Sequence, residues 1–160
     1  MRRILAYILL ATILFSCSEK SNINFTLSGK AGDTQCTLYL FGIDSRYEKI
    51  DSIVSEKNGE FTYSMHTDTI VPMFLLLPEG ELIPVYAEPN VEALLKKDKE
   101  MKNGWCIEGG KTQTLHDSIS RELDACKESS QITKMVDEFI ETHPISDVNI
   151  EIMRRYIVDI

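Results

Sequence analysis

The feature that most constrains the fold of this chain is a change of hydrophobic period at Gly109-Gly110. Before that pair, apolar residues recur at every second position in short segments; after it they recur at helical spacing. Side chains alternate across a strand but return to one helix face every three or four residues, so strands must give way to helices there. NFTLSGK alternates Phe25 and Leu27 with polar neighbours, and QCTLYLFG sets Cys36, Leu38 and Leu40 on one face and Thr37, Tyr39 and Phe41 on the other. KIDSIVS and EFTYSM flank Asn58-Gly59, a strong hairpin signal because both residues tolerate positive φ; Phe61, Tyr63 and Met65 share one face. Pro72–Leu77 is a continuous apolar run, as in a strand buried on both sides, and Pro78-Glu79-Gly80 turns it. In the next segment, ELIPVYA, Pro84 lacks a ladder donor and belongs at an edge or bulge. After the Glu88-Pro89-Asn90 turn, VEALL reads as a strand from its flanks, and WCIE (Trp105–Glu108) closes the sheet. Short strands joined by turn signals predict an antiparallel β-sandwich or barrel-like sheet over residues 25–109.

Residues 110–160 predict about three helices, giving a mainly β fold with a C-terminal α-helical segment. Leu115, Ile119, Leu123 and Cys126 form the first stripe; Ile132, Met135, Val136, Phe139 and Ile140 form the second, which stops at His143-Pro144. Ser146 is placed to cap the third helix, whose stripe is Ile152, Met153, Tyr156, Ile157 and Ile160. That stripe is still running at Ile160, so further sequence is expected beyond it.

The first residues carry an address. Met-Arg-Arg precedes the apolar run Ile4–Phe15, the layout of a secretory signal, and the run falls short of the ~20 residues needed to span a bilayer. Leu14 to Cys17 (LFSC) resembles the lipobox of bacterial lipoproteins, with Phe15 a departure from the usual small or aliphatic residue. The expected organisation is a signal peptide over 1–16, lipidation on Cys17 and a flexible tether over 17–24. Each buried methylene contributes about 0.8 kcal/mol and a single acyl chain holds only marginally; the several chains implied by a lipobox would hold permanently. The absence of Asp at Ser18 favours, by resemblance, the outer membrane, so a periplasmic or surface-facing location in the cell envelope is expected.

The formal net charge is −8, and removal of Arg2 and Arg3 with the signal gives −8 − 2 = −10. So acidic a body disfavours nucleic acid and anionic headgroups. The expected partners are the membrane, through the acyl chains, and a protein of the envelope. With Cys17 modified, Cys36, Cys106 and Cys126 remain. Cys36 and Cys106, both on expected strands, are candidates for a disulfide of an exported protein, whereas Cys126 reads as a small buried residue on a helix. No C-x-x-C dithiol occurs.

Four segments resemble DUF4369, a domain of unknown function found in lipoproteins of Bacteroidetes. They are KIDSIVSEKNGEFTYS (Lys49–Ser64), PVYAEPNVEALL (Pro84–Leu95), WCIEGGKTQTLHDSI (Trp105–Ile119) and EFIETHPISDVNIEIMRRYI (Glu138–Ile157). Asn90 stands where that pattern has glycine, and Gln113 near its asparagine. The last segment is similar to the connector that precedes a thioredoxin-like domain in many such lipoproteins. No residue of this chain matches that domain's C-x-x-C, so its thiol–disulfide activity is not carried over.

No catalytic, cofactor or metal residue is assigned. His66, His116 and His143 lack ligand spacing, and Ser52, Ser118 and Ser120 lie outside a G-x-S-x-G context. Glu79, Glu81 and Glu88 are acid–base candidates that read better as solvated loop carboxylates. Gly109-Gly110 reads as a turn rather than an anion site at a helix N-terminus. Trp105, Tyr86 and Tyr63 could line a stacking groove, yet their spacing fits a core. The leading expectation is a non-enzymatic, membrane-anchored interaction or accessory domain. The alternatives are the N-terminal part of a thiol–disulfide oxidoreductase and a small-ligand or glycan-binding sandwich.

Overall fold

Leu38 and Leu40 are fully buried while Thr37 between its neighbours is exposed and Tyr39 is 37% exposed, which is period-two patterning expressed in space. The computed structural model describes residues 23–43 and 48–158; the expected signal segment and Cys17 lie outside the described residues. The strands are β1 (Phe25–Lys30), β2 (Thr37–Gly42), β3 (Lys49–Val54), β4 (Glu60–Met65), β5 (Val71–Leu76), β6 (Leu82–Ala87), β7 (Val91–Lys97) and β8 (Trp105–Glu108). Three helices follow: α1 (Lys111–Ala125), α2 (Ser129–Thr142) and α3 (Val148–Met153), the last running into a π-helical turn over Arg154–Val158.

The strands form two open sheets, ordered β4-β1-β7-β8 and β3-β2-β5-β6. Phe25, Leu27 and Leu95 of the first meet Leu40, Leu75 and Val85 of the second in one apolar core. The expected sandwich is therefore present. One pairing departs from the antiparallel expectation: β1 and β7 run parallel, Phe25 opposite Val91. The long path between them supplies the crossover that parallel strands require.

The second sheet carries a further core on its outer side. Ile83, Val85 and Ala87 of β6 face the sandwich, whereas Tyr86 packs with Ile119, Leu123, Phe139, Ile152 and Tyr156 from the helices. β6 is thus buried on both faces, and it is also an edge strand, where Pro84 costs no ladder bond. β5 shares the two-sided burial expected of it: Met73 and Leu75 face the sandwich, and Phe74 lies under the Arg154 guanidinium, 5.1 Å from the ring centroid.

The Asn58-Gly59 hairpin expectation needs correction. The turn itself forms, with the Gly59 amide donating to the Glu56 carbonyl at 3.0 Å and Glu56 donating to Glu60 at 2.7 Å. Its two strands, however, pair with others: β3 with β2, and β4 with β1. The turn hands the chain from one sheet to the other, so Ile53 and Phe61 reach the same core from opposite sides. A tight turn dictates reversal of direction; it does not dictate which strands share hydrogen bonds.

The cysteine expectations also change. Cys36 and Cys106 are free thiols, belonging to segments of different sheets. Cys126 lies just past the end of α1 in extended backbone and is only half-buried.

Gly59 has φ +82°, and a Cβ built there would stand 2.0 Å from the Gly32 carbonyl oxygen. Left-handed backbone alone costs a residue with Cβ about 1–2 kcal/mol. Gly59→Ala should therefore lose at least that much stability in urea denaturation. A loss below about 0.5 kcal/mol, the usual range for a surface substitution, would contradict this account of the turn.

Candidate functional site

The first helix stripe was expected to be apolar, and Ile119 and Leu123 do pack into the outer core. The same helix also buries a polar row: Gln113, His116, Asp117 and Ser120 are 1%, 1%, 5% and 0% exposed. Buried polar groups need partners, and these find them along the edges of the two sheets.

Gln113 answers β6. Its Nε2 donates to the Pro84 carbonyl at 3.3 Å, and its Oε1 accepts the Tyr86 amide at 3.2 Å. One amide side chain thereby acts as a missing neighbouring strand. Asp117 answers β8, its Oδ2 accepting the Ile107 amide at 3.3 Å. The two side chains are joined, Gln113 Nε2 donating to Asp117 Oδ1 at 3.0 Å. Since β6 and β8 are edge strands of different sheets, α1 clamps one side of the sandwich.

The start of α1 is fixed in a similar way. Glu88 Oε1 accepts the Thr112 amide at 2.7 Å, placing a carboxylate at the positive end of the helix. Gly110, at φ +83°, leaves the space this requires, because a Cβ there would meet Glu88 Oε1 at 2.5 Å. Glu88 is therefore a helix-capping partner rather than the solvated loop carboxylate expected, and the Gly109-Gly110 turn leads into a helix end that the chain itself fills. Glu79 and Glu81 stand beyond the opposite end of β6 and form no acid–base pair with it.

Around Asp117 the structure brings together three residue types found in hydrolytic relays. His116 Nδ1 is 2.8 Å from Asp117 Oδ1, and His116 Nε2 is 3.4 Å from Ser120 Oγ. All three side chains come from one helix and are buried, Ser120 fully so. Tyr156 closes the region, its hydroxyl donating to Asp124 at 2.7 Å and contacting the Ser120 carbonyl at 3.3 Å. Burial raises the Tyr156 phenol above its ordinary range, with the Asp124 hydrogen bond adding to it. Burial raises Tyr86 likewise, followed by Glu151, Asp117 and Asp147.

The cleft nearest this row lies between α1 and the β7–β8 pair, with a volume of about 440 Å³. Asp117 reaches its wall; neither His116 nor Ser120 does. Two ion pairs line it, Lys96 with Glu108 and Arg121 with Asp98 at 2.8 Å, and the Lys97 ammonium lies 4.8 Å from the centroid of the Trp105 ring. The Arg121 hydrogen bond holds the Asp98 carboxyl below the usual range. Cys106 lines the cleft, where burial, then Asp98 and Asp117, push its thiol upward. Such a thiol stays protonated and unreactive at neutral pH.

The remaining expected site residues do not converge. Trp105 and Tyr63 pack with the sandwich core and Tyr86 with the helical one, so the three aromatics form no shared groove. His66 is exposed beside Asp68 at 3.3 Å, and His143 stacks on Phe139 at 4.6 Å. Ser52 and Ser118 are exposed and apart from the buried row. Among the described residues no cluster of His, Cys, Asp or Glu could hold a metal ion, and no helix there is long and apolar enough to cross a membrane.

Comparison with protein families matches residues 22–116 to the domain of unknown function DUF4369. The chain belongs to this family. The DUF4369 match takes in all eight strands and the start of α1, including Glu88, Asn90, Gln113 and His116, and stops one residue short of Asp117. Asn90 adopts φ +63°, a left-handed geometry that asparagine tolerates. No curated protein and no solved structure matches the chain.

Two outcomes follow from this geometry. Gln113→Leu leaves the Tyr86 amide and the Pro84 carbonyl buried without partners, at about 1–3 kcal/mol each. Urea denaturation should show a loss of about 2–5 kcal/mol, and a neutral substitution would contradict the clamp. Cys106 should resist alkylation at neutral pH while half-buried Cys36 and Cys126 react, its rate climbing only at more alkaline pH. Peptide mapping in which Cys106 reacts first would overturn that assignment.

Proposed function

We propose that this DUF4369 protein is an exported lipoprotein, tethered through acyl chains on Cys17, whose body is a non-catalytic interaction or accessory domain of the cell envelope. The observation that carries the interaction role is an apolar row on the last helical segment. Ile150, Met153 and Ile157 are 58%, 45% and 37% exposed at helical spacing, and Val158 beside them is 72% exposed. Apolar residues grouped this way favour contact with another protein surface. The tether rests on the LFSC sequence and the short apolar run before it. The buried Ser120–His116–Asp117 row and the burial that pushes the Cys106 thiol upward fit a structural body better than a reactive one.

A second reading draws on the same exposed row: the chain is the front part of a longer thiol–disulfide oxidoreductase, with Met153 and Ile157 packing on its catalytic domain. Reading the coding frame past Ile160 separates the two, since a downstream C-x-x-C module is required by the second reading alone.

Mass measurement on the natively expressed protein tests the tether. The mature chain should lack Met1–Ser16 and carry the added mass of acyl chains on Cys17, and Cys17→Ala should lose that mass. An unmodified Cys17 on a mature chain would remove the basis of the proposed location.

A further inference from the structure

The two sides of the sandwich are treated differently. On one side the edge strands β6 and β8 are answered by α1. On the other the edge strands are β3 and β4, and among the described residues the stronger guard lies on β3. Asp51 lies opposite Leu40, on the core-facing side of β3, and its Oδ1 accepts the Ser52 amide at 2.7 Å. This exposed charge on the edge, together with the register shift of β3 between Leu40 and Phe41 of β2, opposes the addition of another strand.

Among the described residues β4 has no such guard beyond Glu60, whose amide donates to Asn58 Oδ1 at 3.0 Å and whose carbonyl accepts the Glu56 amide at 2.7 Å. Its register with β1 is unbroken from Glu60 opposite Lys30 to Met65 opposite Phe25. Phe61, Tyr63 and Met65 face the core, and Glu60, Thr62 and Ser64 face solvent. The Ala31 amide donates to the Gly59 carbonyl, a residue pair that continues this register. Hydrogen-bonded pairs in an antiparallel ladder alternate, so odd-numbered residues of β4 bond to β1. The backbone groups of Thr62 and Ser64 therefore point outward along the open edge, with neither proline nor bulge to block them.

We infer that β4 pairs with β4 of a second copy of this chain, joining two β4-β1-β7-β8 sheets into one eight-stranded sheet. The occupant follows from the register. A two-fold axis through Tyr63 keeps the solvent faces continuous and sets Thr62 opposite Ser64 of the second copy. It also sets Glu60 opposite His66, while Phe61 meets Met65 on the core side. Hydroxyl pairs and complementary acid–base pairs favour such cross-strand contacts. The neighbouring register, centred on Ser64, would set Glu60 against Asp68 and is disfavoured by like charge. The contact is narrow, so the association is weak and depends on concentration.

Sedimentation velocity of the full chain in detergent tests this, with dimer growing from a minor to a major species across a concentration series. Thr62→Pro removes an outward amide that an edge strand can spare, so it should shift the chain to monomer while matching the unmodified chain's melting temperature in dilute solution, where both are monomers. In a second arm, chains with Thr62→Cys are mixed with chains with Ser64→Cys and oxidised. The mixture should give a disulfide-linked heterodimer well above either variant alone and above the unmodified chain; this arm decides the matter if Thr62→Pro fails to fold. A monomer at every concentration, a dimer untouched by a folded Thr62→Pro, or cross-linking no greater in the mixture would overturn the inference. A purified monomer would point instead to an extended segment of another protein as the strand that β4 accepts.

Discussion

The hydrogen bond between Gln113 and Asp117 is the point on which the rest of the structure depends. Each residue makes good the open edge of a different sheet, and their contact joins those edges through α1. A sandwich of two open sheets has four edges, each a row of unpaired backbone groups. Here one pair is closed by side chains of a helix. Because α1 is held on both strands, Ile119 and Leu123 are delivered to the outer core where α2, α3 and the π-helical turn assemble on Tyr86.

The same requirement explains why a helix interior contains so much polarity. Asp117 accepts from Gln113 and from the Ile107 amide, and its Oδ1 lies 2.8 Å from Nδ1 of His116, which in turn reaches Ser120. A buried carboxylate is costly unless its oxygens are hydrogen-bonded, and this one is surrounded by donors. A serine, a histidine and an aspartate in register therefore satisfy one another's buried polar atoms here. Ser120 is fully buried and does not line the cleft beside α1. His116 and Ser120 face inward, whereas Ile150, Met153, Ile157 and Val158 on the last helical segment are exposed.

Much of the fold was legible in the sequence because period is a local property. The alternation in QCTLYLFG, the double burial of the run after Pro72 and the edge position of Pro84 each follow from residues within a few positions of one another. Strand partners did not follow, because pairing depends on residues far apart in the chain: Asn58-Gly59 announced a turn, yet β3 and β4 belong to different sheets. The polar row was missed for a related reason. Gln113, His116, Asp117 and Ser120 interleave with Leu115, Ile119 and Leu123, and a stripe defined by apolar residues passes over them. The spacing of HDSIS, with positions 116, 117 and 120 on one helix face, was the available sign. Glu88 could not be read as a helix cap from sequence, since its partner Thr112 lies across β7 and β8.

Native-state hydrogen exchange at the amides of Tyr86 and Ile107 tests the clamp most directly. Both belong to edge strands and donate to α1 side chains rather than to a neighbouring strand. If α1 closes the sandwich, both should exchange only through global unfolding, with the same protection as the Leu75 amide in the centre of the second sheet. Exchange of either amide through a local opening, at a free energy well below that of Leu75, would show that the edges stand open and that the helix merely rests against them.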